Sequence, residues 1–408
     1  MNSLKRIFLV LFLLYVSGLP QRLGFVSQVV NEIVIMVVAL TGLFFFSVYL
    51  SKYRYRIEML DIYLSVFLIF YPVFNCLVAY FTVGQPLYMG LLSFRSLYLL
   101  LAFYTLYCFD FNERAILSYV NMVNILVLIV VVILFFGFSV NDFNTVFRKG
   151  TLAVRYTFTT TKGIQFSGFS GLFFISFIAG WVYFFEKNKP GNLILPLVIL
   201  LSSVFITKSR NEIFSLCMIP VMMYYLKYKL YDLKFLSISV TLILALYLVM
   251  VTDNVISRSF TGLLHANNMD YIHQTRDYSA YLRIREIEDG WKWFLKYPLT
   301  GLGSISYRYN GGYMGIVSDF FFISDIGIFG LLVKGGIILV LLYIMFFIRL
   351  FRYFSGDGLI VVIGRYLLFF ILIELIIGND LFYNNTGVMV IMFMLKPSRD
   401  GITRSVYA

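Results

Sequence analysis

Charged residues are scarce in this chain, and their scarcity excludes a soluble globular protein. Asp, Glu, Lys and Arg supply 13% of its 408 residues against 60% hydrophobic, the balance of an integral membrane protein whose bilayer takes the place of a core. Cysteine is nearly absent: Cys76, Cys108 and Cys217 fall in apolar runs at unrelated spacings, which excludes a disulfide framework and a zinc site and leaves them packing roles. Histidine is rarer still. His265 and His273 have no His-Glu-x-x-His pattern and no cysteine beside them, so no metal or other cofactor is expected. No small-x-small cleavage site follows Lys5, Arg6 and the apolar run 7–16, so the start reads as an uncleaved first span. Also missing is any repeat with a period of about 20–50 residues or a pair of inverted halves, which weakens a secondary-transporter reading.

What is present is one apolar run after another. A hydrocarbon layer roughly 30 Å thick takes about 20 helical residues, and that ruler predicts an all-α, polytopic bundle of about twelve transmembrane helices. They fall near 5–20, 26–50, 59–82, 87–108, 115–138, 166–185, 193–207, 211–226, 235–251, 327–348, 359–377 and 385–395. The chain is then a single membrane domain over 1–408 with a shorter loop at 139–165 and a large one at 252–315. The large loop extends to 326 if the polar stretch 316–326 is read as an amphipathic helix at the interface, because Ser318, Asp319, Ser324 and Asp325 interrupt its apolar residues. A loop of sixty-odd residues so rich in polar ones cannot lie in hydrocarbon, so the large loop is where recognition or chemistry is sought.

Lys and Arg in alternate short connections, such as Lys52 and Arg54, Lys187 and Lys189, and Arg349 and Arg352, place both termini in the cytoplasm and the two long loops outside. The formal net charge of +12 does not imply a nucleic-acid partner, since the basic residues sit between apolar runs and not along one soluble face. Within the spans, Glu32, Arg95, Lys334 and Glu374 map to the outer half and Arg365 to the inner. Snorkelling or ion pairing accounts for any one of them; the four together point to an outward-opening polar cavity.

Three stretches carry candidate chemistry. Thr207-Lys208-Ser209-Arg210-Asn211-Glu212 joins two short spans; it holds Lys208 and Arg210 at the membrane surface, where a guanidinium grips phosphate, and equally serves as the solvated tip of a helical hairpin. Residues 280–296 read as a helix with an apolar face (Leu282, Ile284, Ile287, Trp291, Leu295) laid on the bilayer and Arg283 and Arg285 on the other face, ended by Pro298, Gly301 and Gly303. With no strand before it, Gly301-Leu-Gly303 is no nucleotide fingerprint. Loop 139–165 sets Arg148, Lys149, Arg155 and Lys162 among threonines, suited to an anionic ligand or to plain solvation. His273 has an imidazole that titrates near neutrality and can move protons, and a structural role suits it as well.

Ser209-Arg210 opening a span, a long outer loop, Arg283 upstream of Pro298-Leu-Thr-Gly301-Leu-Gly303, and Asp325-Ile-Gly327-Ile-Phe-Gly330 occur in that order. In this the chain resembles the O-antigen polymerase and ligase superfamily of bacterial envelope glycosyltransferases. A ligase-type His-Asn before the polar stretch is replaced by Ile316-Val317-Ser318-Asp319, which tilts the resemblance toward the polymerase. The resemblance implies a metal- and nucleotide-independent enzyme of the bacterial inner membrane. It would join undecaprenyl-pyrophosphate-linked oligosaccharide units beside a chain-length regulator and a flippase. It also implies Arg210 and Arg283 on the pyrophosphate, and Asp319 or His273 as the base. Arg276, Arg285, Arg258, Arg95, Lys208, Arg148 and Arg155 would bind substrate. A ligase and a lipid-linked oligosaccharide flippase or exporter are the rivals.

Overall fold

An apolar run inside a bilayer has no water to satisfy its backbone, so it closes its hydrogen bonds within helices. The computed structural model describes residues 2–23, 26, 28–52, 59–109, 111–137, 171–207, 210–228, 279–354, 358–377 and 386–395, and among these it contains helices and turns and no strand. In order they are α1 (Asn2–Val16), α2 (Gln28–Lys52), α3 (Met59–Ser65), α4 (Tyr71–Val83), α5 (Leu87–Ser93), α6 (Ala102–Cys108), α7 (Glu113–Gly137), α8 (Leu172–Lys187), α9 (Ile194–Ser202), α10 (Arg210–Tyr228), α11 (Ser279–Lys296), α12 (Gly327–Tyr353), α13 (Leu359–Ile377) and α14 (Thr386–Met394). A π-turn over Val66–Phe70 joins α3 to α4, another over Ser203–Thr207 follows α9, and a 3-10 stretch over Arg95–Leu101 joins α5 to α6.

By length and apolar composition four stretches among the described residues qualify as membrane spans: Val29–Ser51, Asp61–Val83, Glu113–Phe136 and Gly327–Tyr353. Leu87–Ser93 with Arg95–Cys108, bent by 55°, makes a fifth if taken as one span. Of the other expected runs, 5–20, 166–185, 193–207, 211–226, 359–377 and 385–395 overlap α1, α8, α9, α10, α13 and α14, and 235–251 lies outside the described residues. Loop 139–165 also lies outside them. Apolar side chains crowd the outside of the bundle, with Phe81 79% and Phe136 80% exposed, as expected where lipid is the solvent.

Helices surrounded by lipid gain little from the hydrophobic effect and associate by close packing and polar contacts. Gly42 lets α2 lie against the 3-10 stretch, since a Cβ there would stand 2.5 Å from the Leu101 carbonyl oxygen. Asp61, buried at the start of α3's span, accepts bonds from the hydroxyls of Tyr49 (3.1 Å) and Tyr104 (3.2 Å), tying α2 to α6. Asn124 of α7 donates to the Leu172 carbonyl (2.7 Å), and Phe174 stacks on Phe370, so α8 is held between α7 and α13. Arg365, expected toward the inner face, is structural: its Nε and Nη2 cap the Phe354 carbonyl that ends α12. A small second core of Leu302, Ile305, Phe321, Ile326 and Val333 forms between α11 and α12.

Residues 316–326 differ from expectation. They are not one interfacial helix but a turn-rich run between a single helical turn, Tyr313–Ile316, and a 3-10 turn, Ile323–Asp325. Burial of Phe321 and Ile326 in the second core bends the backbone away from the continuous helix that their spacing allows.

Candidate active site

The site is built around a break in α12. Gly336 takes φ 61° and ψ −160°, which an L side chain resists and which severs the helical bonds from Ile337 and Ile338 back to Val333 and Lys334. Two amides and two carbonyls are left open, and unsatisfied each costs several kcal/mol at membrane depth. Residues 298–303 fill the gap. Leu302 and Gly303 donate to the Val333 and Lys334 carbonyls (2.8 and 2.9 Å), while Ile337 and Ile338 donate to the Pro298 and Leu299 carbonyls (3.0 and 3.2 Å). The Pro-x-x-Gly-x-Gly motif is therefore a plug. Its glycines are there for contact: a Cβ on Gly301 would lie 2.6 Å from the Val333 oxygen, and one on Gly303 2.3 Å from the Ala79 nitrogen.

The rest of the plug is nailed to the turn between α4 and α5. Gly84, left-handed at φ 73°, ends α4 and turns the chain toward Gln85. The fully buried Gln85 amide donates to the Ser304 carbonyl (2.9 Å) and accepts from the Ser306 amide (2.7 Å). Thr82 donates to the Leu302 carbonyl (2.8 Å) and Tyr309 to the Val83 carbonyl (2.7 Å). Loop 297–326 thus sits at the end of the bundle where α4 stops and α5 begins.

Over this plug lies α11. The sequence assigns its apolar stripe to the bilayer, and Trp291 (44% exposed) and Leu295 (62%) do face outward. Toward the protein it turns Glu286, Gly290 and Phe294, one residue every four, with Gly290 seated on Val333 and Phe321. Glu286 is 2% exposed; its Oε1 accepts the Phe322 amide (3.1 Å) and its Oε2 is buried without a hydrogen-bond partner among the described residues. Burial pushes this carboxyl up to about 7, the Phe322 amide pulls it back, Asp325 raises it and Arg283 lowers it. Glu286 escaped the sequence reading, although the 286/290/294 spacing, with glycine in the middle, marks a closely packed face.

Arg283 stands one turn before Glu286, half-buried, with no hydrogen bond or ion pair among the described residues. Asp319, three residues before the amide that Glu286 holds, is exposed and equally uncommitted among them. Arg285 points away into solvent, bonded to the Tyr281 hydroxyl (3.1 Å) and Glu288 (3.3 Å). Arg210 is the first residue of α10, its side chain outside the described set; Lys208, Arg148, Arg155, Arg258, His265, His273 and Arg276 lie outside it altogether.

The outer-half charges divide. Arg95 Nη1 meets Glu32 Oε1 at 2.6 Å, and Arg308, which the sequence reading did not single out, brings Nη2 to the same oxygen at 3.3 Å. Lys334, at the α12 break, lies over the rings of Tyr71 (5.7 Å) and Phe94 (5.4 Å). Glu374 joins other elements, accepting from Ser215 of α10 at 2.7 Å.

A model of the O-antigen ligase family matches residues 195–344, from α9 through the plug and past the α12 break. The match supports the O-antigen polymerase and ligase superfamily. No curated protein matches the chain. Inside the matched region the superfamily's ordered elements acquire physical roles: Arg210 opens α10, residues 298–303 mend α12, and Gly330 admits the Ile323 carbonyl, whose oxygen would stand 2.2 Å from a Cβ there. The apolar helices and this match agree on a membrane protein, and over residues 195–344 the chain is similar to the O-antigen ligase family.

Proposed function

We propose that this protein polymerises undecaprenyl-pyrophosphate-linked oligosaccharide units into O-antigen or a related surface polysaccharide at the periplasmic face of the inner membrane. The observation that carries the reading is Arg283: a half-buried guanidinium without a carboxylate partner among the described residues, on a helix locked over a mended membrane helix, inside the region of the family match. A cation held unpaired at that level suits a leaving diphosphate.

The anomeric carbon–oxygen bond of the donor breaks, and its electron pair goes to the pyrophosphate. The acceptor's hydroxyl oxygen forms the new glycosidic bond and gives its proton to a base. Arg283 and Arg210 hold the diphosphate bidentately as charge develops, which requires no reorganisation when they are already in place. Asp319, exposed and three residues before the amide that anchors Glu286, acts as base, with His273 its alternative. Arg276 and Arg285 assist, and Arg258, Lys208, Arg148 and Arg155 take part in binding the substrate.

Arg283→Ala and Arg210→Ala are each expected to cut chain elongation about 10²–10³-fold, the scale of losing one oxyanion-type donor, with protein level and insertion unchanged. Wild-type polysaccharide length in both variants would remove the mechanism. The family match supports a second reading equally, the ligase, which differs only in acceptor. A deletion strain carrying single repeat units on the mature acceptor indicates the polymerase; one accumulating unattached long chains indicates the ligase.

A further inference from the structure

We infer that Glu32, Arg95 and Arg308 form a second lipid-diphosphate site, separate from Arg283, that holds the acceptor substrate by its carrier. This rests on the polymerase reading, because only a polymerase joins two substrates that both carry a lipid diphosphate. The Arg283 site takes the diphosphate that leaves. The acceptor's diphosphate stays intact through the reaction and needs its own holder.

Three distant parts of the chain converge to make the cluster: α2, the 3-10 stretch behind the 55° bend, and the tip of the plug. Both guanidiniums reach one oxygen, Glu32 Oε1, and neither finds another carboxylate among the described residues. The carboxylate therefore occupies the place of an anion's oxygen, and positive charge is left in excess. Side-chain exposures of 41%, 37% and 54% for Glu32, Arg95 and Arg308 leave all three accessible. Val29, Ile33 and Met36, flanking Glu32 on α2, are exposed apolar residues, so the cluster lies beside a surface suited to lipid. A ligand entering there arrives through the bilayer with its tail in hydrocarbon and its phosphates level with the arginines.

The setting also favours a ligand over a structural knot. Irregular backbone at membrane depth persists where protein buries it or where it lines a polar site, and here two interrupted helices meet, with Lys334 of one lying over Phe94 of the other. A diphosphate offers more oxygens and more charge than Glu32, so it displaces the carboxylate from the two forks.

The test uses the full-length protein in nanodiscs of phosphatidylcholine, with bound lipid counted by native mass spectrometry. The wild type should bind two undecaprenyl diphosphates. Arg95→Gln with Arg308→Gln should keep the one that Arg283→Ala removes, and Arg283→Ala should keep the other. Glu32→Gln should retain both and tighten the second several-fold, because the competing carboxylate is gone; Arg95→Lys, with charge but no fork, should bind it weakly. Two lipids on the double arginine variant, or weaker binding by Glu32→Gln, would overturn the site. Equal binding of phosphatidylglycerol would make it a general anionic-lipid site, and binding of inorganic pyrophosphate but not of the lipid would make it a water-facing one; either overturns the acceptor assignment. A wild type that binds one lipid in all, and loses it in Arg283→Ala, overturns this inference and leaves the proposed function standing. Binding that is indifferent to Arg283→Ala overturns the function itself.

Discussion

At the residue scale, one charged group is paid for by another. Arg283 has no carboxylate within ion-pair distance among the described residues, yet Glu286 lies one turn away on the same helix, desolvated and anchored to the Phe322 amide. Glu286 titrates near 7 in the folded protein against an ordinary 4.5, so between those values the folded state binds more protons than the unfolded one. Its contribution to stability is complete below about 4.5 and is lost as pH rises through about 7. Thermal unfolding of the detergent-solubilised protein should therefore fall by a few degrees between pH 5.5 and pH 8, and Glu286→Gln, which keeps the acceptor for Phe322, should flatten that slope. An unchanged slope would mean that other groups set it.

Among elements, the unit that matters is the plug and the helix it repairs. Two helical hydrogen bonds are given up at Gly336 and four bonds to residues 298–303 replace them, so neither piece is complete alone. Gly303→Ala is expected to be severe, since its φ of +79° is strained for any other residue and its Cβ would collide with α4 backbone. Strain of that kind costs about 1–3 kcal/mol before the clash is counted. Limited proteolysis should then cut within 297–326, where the wild type resists, and polymer formation should fail together with the docking. Protection equal to wild type would show that the plug is held by Gln85 and Tyr309 and does not need the Gly303 contact.

For the whole molecule, the plug fixes which ends of the helices share a face. Gln85 and Arg308 bring the α4–α5 turn, the start of α2 and loop 297–326 to one end, opposite the end of α12 at Phe354. Alkaline phosphatase fusions in the turn at Gly84 and at Gly311 should be active together, and one at Phe354 inactive; activity on opposite sides for the first two would break the arrangement. Apolar run lengths already determined the helical membrane class, and the spacing of 280–296 determined α11, because both follow from the period of a helix and the thickness of a bilayer; its apolar stripe divides, with Trp291 and Leu295 exposed and Ile287 packed on the second core. The order of Arg210, Arg283 and the glycine motif was legible too, but not what the glycines do, since a broken helix is visible only when the segment that mends it is in place. The partner of Arg308 and that of Glu286 were decided by tertiary structure: one meets Glu32 from 276 positions away, and the other, on a face that its spacing marks as packed, accepts the Phe322 amide from a segment 36 positions on. A charge's partner and its solvation are set by what packs against it, and local spacing carries neither.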